Sequence, residues 1–379
     1  MPFLIILGII VLVCTFLGFY NFFTLPYLKN AKSPQTPFVS IIIPARNEEK
    51  NIGRCLETVL QQDYPDYEII VCDDQSQDRT AEIISSYGKK VKLIRGKTLP
   101  EGWIGKSWAC HQAVQIAKGD LLLFLDADVL LQPKALPSAV SLLLKQKAGL
   151  VTCFPYQITK TVGEKLLVPV MDWLVLTSVP FRLVNTTTGT TFSIGVGQFM
   201  LFTKEAYLHV GGHPAVKTAI TEDTELARRM KFLGEKIIVV KSKNLVQCRM
   251  YRSFKEAFHG LSRSFYQGAR MKPLPYSAAI ALFILIIVSP FVLTFFDRSF
   301  AIVFFALLLQ RIVTAWSSGF PIFTALLLFP IHIVMVIVLT SNSIHISLAN
   351  KITWKGRKII TKDINKTLTI RQYTKKRTG

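Results

Sequence analysis

The sequence predicts an α/β protein in which a parallel β-sheet is covered by helices, with transmembrane helices at both ends of the chain. Three observations predict this fold class. Half of the 379 residues are apolar and only 18% are charged, against roughly 25% in a soluble domain. From Phe38 onward, short β-branched runs alternate with helical apolar spacing, which is typical of a parallel sheet. Long apolar runs precede and follow this stretch, which excludes a disordered chain.

The N-terminal run Phe3–Leu25 contains no charged residue and is long enough to cross a hydrocarbon core of about 30 Å. A cleaved signal peptide is the alternative, but no basic residue precedes the run and no small-residue cleavage site comes after it. The first basic residues, Lys29 and Lys32, lie on its C-terminal side, which favours a cytoplasmic location for the next domain. We therefore predict a transmembrane anchor over residues 1–28 and a linker over residues 29–37.

The central part of the chain, residues 38–276, is predicted to be one α/β domain. Its expected strands are Val39–Ile43, Glu68–Cys72, Val91–Ile94 and Leu121–Leu125. Its expected helices include Glu48–Gln61, Asp78–Tyr87 and Lys106–Ala117. Strands that are apolar throughout indicate a sheet covered on both faces. Ligands of such sheets bind beyond the carboxyl ends of the strands.

Residues 277–349 are predicted to be a C-terminal transmembrane region, followed by a basic cytoplasmic tail over residues 350–379. The candidate spans are Ser277–Phe296, Phe300–Trp316 and Phe320–Thr340. If the domain and the basic tail are both cytoplasmic, an even number of crossings separates them. Two full spans and one re-entrant or interfacial segment satisfy this condition, whereas three full spans do not. The expected location is therefore the cell membrane, with several crossings.

Polar motifs follow three of the expected strands. Pro44–Glu49 (PARNEE) ends the first strand, Asp73–Asp78 (DDQSQD) ends the second, and Asp126–Asp128 (DAD) ends the fourth. Each motif alone also fits a strand end or a helix start. Paired carboxylates can bind a hard cation such as Mg²⁺ or Mn²⁺, which takes its remaining oxygen ligands from substrate phosphates.

Taken together, the three motifs resemble those of the family 2 glycosyltransferases, and the likeness covers about residues 38–270. The resemblance implies a GT-A fold, a Rossmann-like nucleotide-binding domain. It also implies a set of donor-site residues. Pro44, Arg46 and Glu48 would border the nucleotide pocket, Asp73 or Asp74 would bind the uracil or ribose, Asp126 would face the ribose and metal, and Asp128 would ligate the metal, Mg²⁺ or Mn²⁺, at the diphosphate.

The resemblance further implies that Asp223 is the catalytic base. Thr221-Glu222-Asp223 precedes the helical pattern Thr224–Phe232, so an acidic first turn of a helix is the alternative. An inverting transfer needs a base for the acceptor hydroxyl and a cation for the departing diphosphate, but no enzyme nucleophile. The expected activity is that of an inverting, metal-dependent hexosyltransferase.

Three shorter phrases are similar to a membrane-anchored branch of this family, which includes the diaponeurosporenoate (carotenoid) and hopanoid-associated glycosyltransferases. They are Gly102–Ala109 (GWIGKSWA), Gln198–His213 (QFMLFTKEAYLHVGGH) and Trp354–Arg357 (WKGR). The similarity implies that Lys106 contacts the donor phosphates, unless it is a solvated lysine. It also places Gly211, Gly212, His213 and Glu222 at the acceptor side, unless the glycines merely form a turn.

The expected reaction moves a single sugar from a UDP-sugar, such as UDP-glucose, to a lipid: a carotenoid, hopanoid or glycerolipid. The apolar segment Glu164–Val184 would receive the lipid, unless it is a core or interfacial helix. A processive polysaccharide synthase and a polyprenyl-phosphate glycosyltransferase are alternatives, although Leu261–Phe265 lacks the tryptophan of the processive motif. The non-enzyme alternative is a membrane scaffold with a relic nucleotide site. The net charge is +21, but the basic residues form no patch that is interleaved with aromatic residues. We therefore expect no nucleic-acid partner.

Overall fold

The computed structural model describes residues 2–269 and 271–359, and for part of the first helix it describes the backbone alone. The strands in these ranges are β1 (Val39–Ala45), β2 (Tyr67–Asp73), β3 (Lys92–Arg95), β4 (Leu121–Leu125), β5 (Val129–Leu131), β6 (Leu150–Phe154), β7 (Tyr156–Gln157), β8 (Phe199–Thr203), β9 (Ile237–Lys241), β10 (Val246–Cys248), β11 (Thr353–Trp354) and β12 (Arg357–Lys358). The α-helices are α1 (Pro2–Thr24), α2 (Ile52–Leu60), α3 (Thr80–Ser85), α4 (Gly105–Val114), α5 (Ala135–Gln146), α6 (Val162–Ser178), α7 (Phe181–Thr186), α8 (Lys204–His209), α9 (Glu222–Phe232), α10 (Phe254–Phe265), α11 (Pro273–Leu293), α12 (Phe300–Ser318), α13 (Ile322–Leu327) and α14 (Phe329–Leu348).

The central sheet has the strand order β3–β2–β1–β4–β8–β6–β9. β1 pairs in parallel with β2 and β4, and β2 pairs in parallel with β3, as the sequence predicts. The prediction of a parallel sheet is wrong for β8, which runs antiparallel to β4 and β6. Just before β8, the carbonyl of Gln198 accepts a hydrogen bond from the N–H of Asp126, the residue after β4. Because β8 therefore starts at the carboxyl edge of its neighbours, it must run back across the sheet.

Both faces of the sheet are buried because apolar side chains point alternately to each side of a strand. In β1, Ile41 and Ile43 join the core beneath α2, whereas Ile42 joins the core beneath α4. All three side chains are fully buried, and each contributes about 1.5–3 kcal/mol relative to an exposed side chain. The two cores fix the strands in register and so fix the loops at their carboxyl ends.

Three helices are long and apolar enough to cross a membrane within the part of the chain that the structure describes: α11, α12 and α14. All three lie at the C-terminal end, and none of these candidates lies at the N-terminal end of the described residues, so the anchor over residues 1–28 stays a prediction. The N-terminal apolar run forms α1, which packs along α12 and α6. Near the end of α1, Asn21 donates hydrogen bonds to the carbonyl oxygens of Leu176 and Val179. This end of α1 is therefore held by protein contacts.

The last expected span, Phe320–Thr340, is divided into α13 and α14. Gly319, with φ of +75°, ends α12 in the left-handed conformation, and Pro321 then begins α13 as its N-cap residue. A left-handed glycine and a proline are typical of a helix that stops and restarts. The boundary between the second and third apolar segments is thus set by backbone conformation.

The C-terminal helices return to the α/β domain. Ser317, at the end of α12, accepts a 2.8 Å hydrogen bond from Lys241 of β9. Ser343 of α14 accepts one from the N–H of Tyr266, which follows α10. Tyr276, at the start of α11, donates to the carbonyl of Phe265. The α11–α12 pair therefore leaves the domain and comes back to it. Two crossings with one interfacial segment, and the cytoplasmic side of the domain, stay predictions.

The segment Glu164–Val184 forms α6 and α7. Leu167, Val170 and Trp173 of α6 pack against α10 and α14 in one apolar cluster, and Leu167 is fully buried. This face is therefore a packing surface, as the core-helix alternative holds. The expectation that it receives a lipid acceptor is wrong for Leu167, because protein side chains already cover it.

The chain ends its described part in a short hairpin, β11–β12. Residues 360–379 of the predicted basic tail lie outside the described residues.

Candidate active site

Asp126 and Asp128 lie in the turn that follows β4. The turn is closed by a hydrogen bond from the N–H of Val129 to the carbonyl of Asp126. Burial raises the pKa of Asp128 to about 7, and the neighbouring charges of Asp126 and Glu48 add to the shift. The Oδ1 atom of Asp128 is buried and has no hydrogen-bond partner among the described residues. This turn therefore holds a carboxylate oxygen that still needs a positively charged or donating group.

The β1 motif meets this turn from the neighbouring strand. Glu48 is close enough to raise the pKa values of both Asp126 and Asp128. Pro44 pairs with Cys72 at the end of β1. Arg46 is buried, and its guanidinium donates to the carbonyl oxygens of Asp74 and Gln75. Arg46 thus ties the first motif to the second.

Two left-handed residues shape these loops. Asn47 has φ of +52° and Gln75 has φ of +57°, a conformation that costs energy for residues other than glycine. Cross-loop hydrogen bonds maintain it: the N–H of Asn47 donates to Ser76 Oγ, and the N–H of Gln77 donates to Asn47 Oδ1. Strain of this kind is typical of functional sites.

The two aspartates after β2 have different environments. Asp73 accepts a hydrogen bond from the N–H of Ser76 and so helps to form its own loop. Asp74 is 1% exposed, and its Oδ2 accepts a 2.6 Å hydrogen bond from Arg357. Burial raises the pKa of Asp74, although Arg357 and Arg46 act in the opposite direction. Its second oxygen, Oδ1, is buried without a partner among the described residues.

Lys106 connects the DAD turn to α9. Its Nζ lies 2.8 Å from Asp126 Oδ1 and 3.0 Å from Glu222 Oε1. Burial alone would lower the pKa of Lys106, but the charges of Asp126 and Glu222 outweigh it and hold this pKa well above its usual value. The lysine is thus a permanent positive charge in the cleft, and its side chain is not a freely solvated one.

Asp223 lies in the first turn of α9, beside Lys106. Its Oδ2 accepts a 2.8 Å hydrogen bond from the N–H of Gly197, and its Oδ1 accepts one from the N–H of Thr224. Burial raises the pKa of Asp223 to about 6, and the charge of Glu222 adds to this shift. A carboxylate with a raised pKa and a fixed orientation is suited to general-base chemistry.

The segment Gly211–His213 forms a turn beneath the cleft. Gly211 and Gly212 have φ of +84° and +52°, which makes glycine the natural residue at both positions. His213 is 3% exposed, shares a 2.7 Å hydrogen bond with the hydroxyl of Tyr207, and packs against Phe124. Burial lowers the pKa of His213 to about 3, so the ring is neutral. The structure thus places this histidine in the core behind β4, and its acceptor role stays a prediction.

The residues of the DAD turn fit a divalent cation. The described residues contain no cluster of three or more His, Cys, Asp or Glu side chains around a metal position. Mg²⁺ and Mn²⁺, however, commonly bind through one or two carboxylates together with substrate phosphates. The unpartnered Oδ1 of Asp128 is an oxygen ligand of the required kind, so Asp128 and Asp126 suffice on the protein side.

Sequence reasoning assigned no role to several residues that shape the cleft. Gly195 and Gly197 pack directly on Asp223, and the N–H of Arg249 donates to the carbonyl of Asp128. Lys355, from the hairpin after α14, forms a 2.7 Å ion pair with Glu48. The phrase WKGR could have indicated that the hairpin has a role. However, nothing in the sequence indicates that it lies beside the β1 and β2 loops.

Comparisons with a family model and with related proteins indicate the same family. The family described as "Glycosyl transferase family 2" matches residues 40–211. The 4,4'-diaponeurosporenoate glycosyltransferase of Staphylococcus haemolyticus (strain JCSC1435) is 30% identical over 261 residues, which are 68% of this chain and 69% of that protein. The protein of the same name from Staphylococcus aureus (strain USA300) is 34% identical over 238 residues, which are 61% of each chain.

The structure also resembles that of the mannosyltransferase PcManGT from Pyrobaculum calidifontis, determined in complex with GDP-Man and Mn²⁺. The TM-score is 0.53 at 18% sequence identity, and the match covers 91% of this chain and 98% of that one. At this identity the likeness concerns the fold. Together with the family match, it confirms the predicted GT-A domain.

Proposed function

Because the chain belongs to glycosyl transferase family 2, we propose that it transfers one sugar from a nucleotide sugar to a lipid acceptor, with inversion at the anomeric carbon and with the help of a divalent cation. The donor we propose is a UDP-sugar. The acceptor we propose is an apolar lipid with a hydroxyl or carboxylate group, and the relatives named for diaponeurosporenoate support a carotenoid.

One observation carries this proposal. Lys106 spans the cleft between Asp126 of the DAD turn and Glu222, the residue beside Asp223. The carboxylates suited to binding a metal ion with the donor diphosphate therefore line the same cleft as the carboxylate suited to act as a base. A scaffold with a relic nucleotide site has no reason to keep both groups in this arrangement.

The proposed chemistry follows from the environment of Asp223. The N–H groups of Gly197 and Thr224 fix the carboxylate, which would accept the proton of an acceptor hydroxyl. As the acceptor oxygen bonds to the anomeric carbon, the bond from that carbon to the diphosphate breaks and its electron pair leaves with the nucleoside diphosphate. A base in the right position contributes about 10²–10⁴-fold to such a step.

The positive groups of the cleft would act on the leaving group. Lys106, held charged by Asp126 and Glu222, would contact the donor phosphates. A cation bound by Asp128 and Asp126 would neutralise charge that develops on the departing diphosphate. Glu48 and Asp74 would border the nucleoside end of the donor.

A membrane-bound acceptor is supported by the helices that adjoin the domain. α14 packs on α6 and α10, so the apolar helices are part of the same body as the cleft. Moving the apolar chain of a lipid into water costs about 0.8 kcal/mol for each CH₂ group, so a lipid acceptor would keep its chain in an apolar environment while its polar end reaches the cleft. We propose that the domain faces the cytoplasm at this surface.

The test uses membranes that contain the full-length protein. They are incubated with Mn²⁺, a lipid extract and radiolabelled UDP-glucose, UDP-GlcNAc or GDP-mannose in separate reactions, and the labelled product is identified by mass spectrometry. We expect one lipid that carries one sugar, and we expect no product with Asp223→Asn. Asp120→Asn, a matched change at an exposed position, should retain activity. A product with many sugars, or no labelled lipid from any donor, would overturn the proposal.

A further inference from the structure

The hairpin that follows the last membrane helix lies on the two loops that border the nucleoside end of the cleft. This C-terminal hairpin comprises residues 353–358. Arg357 donates to Asp74 Oδ2 at 2.6 Å and to Gln75 Oε1 at 2.7 Å. Lys355 forms a 2.7 Å ion pair with Glu48 Oε1. Arg46 in turn donates through Nε to the carbonyl of Lys355. The hairpin thus contacts both the β1 and the β2 motif.

The backbone of the hairpin fixes which side chains face the cleft. Lys355 and Gly356 have φ of +46° and +80°, the combination of a two-residue turn that joins twisted strands. Trp354 pairs with Arg357, and Thr353 pairs with Lys358. Directly paired residues share a face of a hairpin. The face with Trp354 and Arg357 is turned to the cleft, whereas Lys358 is exposed.

The fit against the domain is close. A side-chain carbon at Gly105, the first residue of α4, would lie 2.6 Å from Asp74 Oδ2, 2.9 Å from the ring of Trp354 and 3.3 Å from Arg357. Such distances are shorter than ordinary van der Waals contact, so a side chain at Gly105 would have to displace Asp74, Trp354 or Arg357. The hairpin therefore packs closely against the start of α4.

The charges of the cleft show what the hairpin adds. The carboxylates from the strand ends and from α9 are Glu48, Asp73, Asp74, Asp126, Asp128, Glu222 and Asp223. From the α/β domain, Arg46 and Lys106 face them, and Lys106 is already paired with two carboxylates. A nucleoside diphosphate is itself an anion, so it would enter against a negative field. Lys355 and Arg357 supply further positive charge at this place.

A second observation concerns Asp74. Of the two carboxylate oxygens of Asp74, Oδ2 accepts the hydrogen bond of Arg357, and Oδ1 is buried without a partner in the described ranges. A buried acceptor without a partner is unfavourable. A base N–H or a ribose hydroxyl is the kind of donor that would satisfy it. Arg357 lies beside this oxygen, on the other oxygen of the same carboxylate, so a ligand that reaches Oδ1 would also come close to the hairpin.

Resting on the proposed function, we propose that the C-terminal hairpin forms one wall of the donor site, in which Arg357 and Lys355 bind the anionic nucleoside diphosphate together with Asp74. The donor site is then complete only when the chain has returned from the membrane helices. The α/β domain by itself lacks these two donor-binding residues.

The test measures binding of UDP and of GDP, each with Mn²⁺, to the purified full-length protein by calorimetry. Loss of a charge-assisted hydrogen bond weakens binding about 10-fold to 100-fold, which is the effect we expect for Arg357→Ala, with a smaller effect for Lys355→Ala. Lys358→Ala removes the same charge from the exposed face of the hairpin and should bind like the wild type. Steady-state kinetics should show a raised KM for the donor with kcat little changed, and Arg357→Lys should restore part of the affinity.

The outcomes separate the two proposals. If the wild type binds neither nucleotide, the proposed function and this inference both fail. If the wild type binds and Arg357→Ala binds equally well, the inference alone is overturned. Tighter binding by Arg357→Ala would also overturn it, because the hairpin would then obstruct the site. If Arg357→Ala does not fold, Lys355→Ala at its exposed position decides the question in the same assay.

Discussion

Gly195 lies directly against the backbone of Asp223. A side-chain carbon at Gly195 would overlap the carbonyl oxygen of Asp223, and Gly197, two residues further on, donates its N–H to the Asp223 carboxylate. The segment before β8 therefore packs against the first turn of α9 and fixes its position. The position of the proposed base depends on the absence of a side chain at Gly195.

We expect Gly195→Ala to lower the transfer rate by more than 10-fold, because the new methyl group must displace Asp223 from the cleft, and a misplacement of about 1 Å can cost 10²-fold. The measurement is the initial rate of lipid glycosylation. Gly189→Ala is the matched control, since nothing lies within 4 Å of a side-chain carbon at Gly189. Equal rates for both variants would show that Asp223 tolerates the shift or is not the base.

Asp223→Asn should reduce transfer by about 10²–10⁴-fold while UDP still binds. The amide keeps the shape of the carboxylate but accepts no proton. Transfer is measured with labelled donor, and binding is measured by calorimetry on the same preparation. The Asp120→Asn protein provides the reference for a neutralised carboxylate at an exposed position. Transfer within a few-fold of the wild type would exclude Asp223 as the base.

The pH dependence of kcat should show an acidic limb near pH 6. The pKa of Asp223 is raised to about 6 by burial and by the charge of Glu222, and a base must be deprotonated to work. Above this pH the carboxylate is free to accept a proton, and below it the rate should fall up to 10-fold for each pH unit. The measurement is kcat at saturating donor and Mn²⁺ between pH 5 and 8. A flat profile over this range, with the protein still folded, would contradict the assignment.

Removal of the divalent cation should abolish transfer. Asp128 offers a buried, unpartnered oxygen, and we expect EDTA to stop the reaction and added Mn²⁺ or Mg²⁺ to restore it. Asp128→Ala should lose activity and should no longer bind Mn²⁺ in the presence of UDP, as followed by electron paramagnetic resonance. Asp120→Ala should behave as the wild type in both assays. Full activity in EDTA would exclude a metal-dependent mechanism.

The tail and the α/β domain should be labelled from the same side of the membrane. Arg357 contacts Asp74, so residues 353–358 lie on the side of the cleft. The described cysteines are buried, and we expect an impermeant maleimide to label Lys358→Cys and Asp120→Cys only in inside-out vesicles. Labelling of Lys358→Cys alone from the outside would mean that three full spans separate the domain from the tail.

The sequence predicts the strand ends of the site well because each motif follows an apolar run directly. Asp126 and Asp128 come immediately after β4, and Asp74 comes immediately after β2. Parallel neighbours bring their carboxyl ends to one edge, so local pattern and sheet geometry together place these groups. The direction of β8 was not predictable in this way. It depends on the edge of the sheet at which the chain arrives after α6 and α7.

Contacts between distant parts of the chain come from tertiary packing. No periodicity indicates that Arg357 meets Asp74, which lies 283 positions earlier in the sequence, or that Gly195 meets Asp223. Likewise, the apolar spacing of α6 predicts a buried face but does not say whether lipid or protein covers it, and α10 and α14 provide the cover. The α/β class, the strand-end carboxylates and the apolar segments could be read from the sequence, because they follow from short-range spacing. The pairing of groups across the cleft could not, because it depends on how separate elements pack against one another.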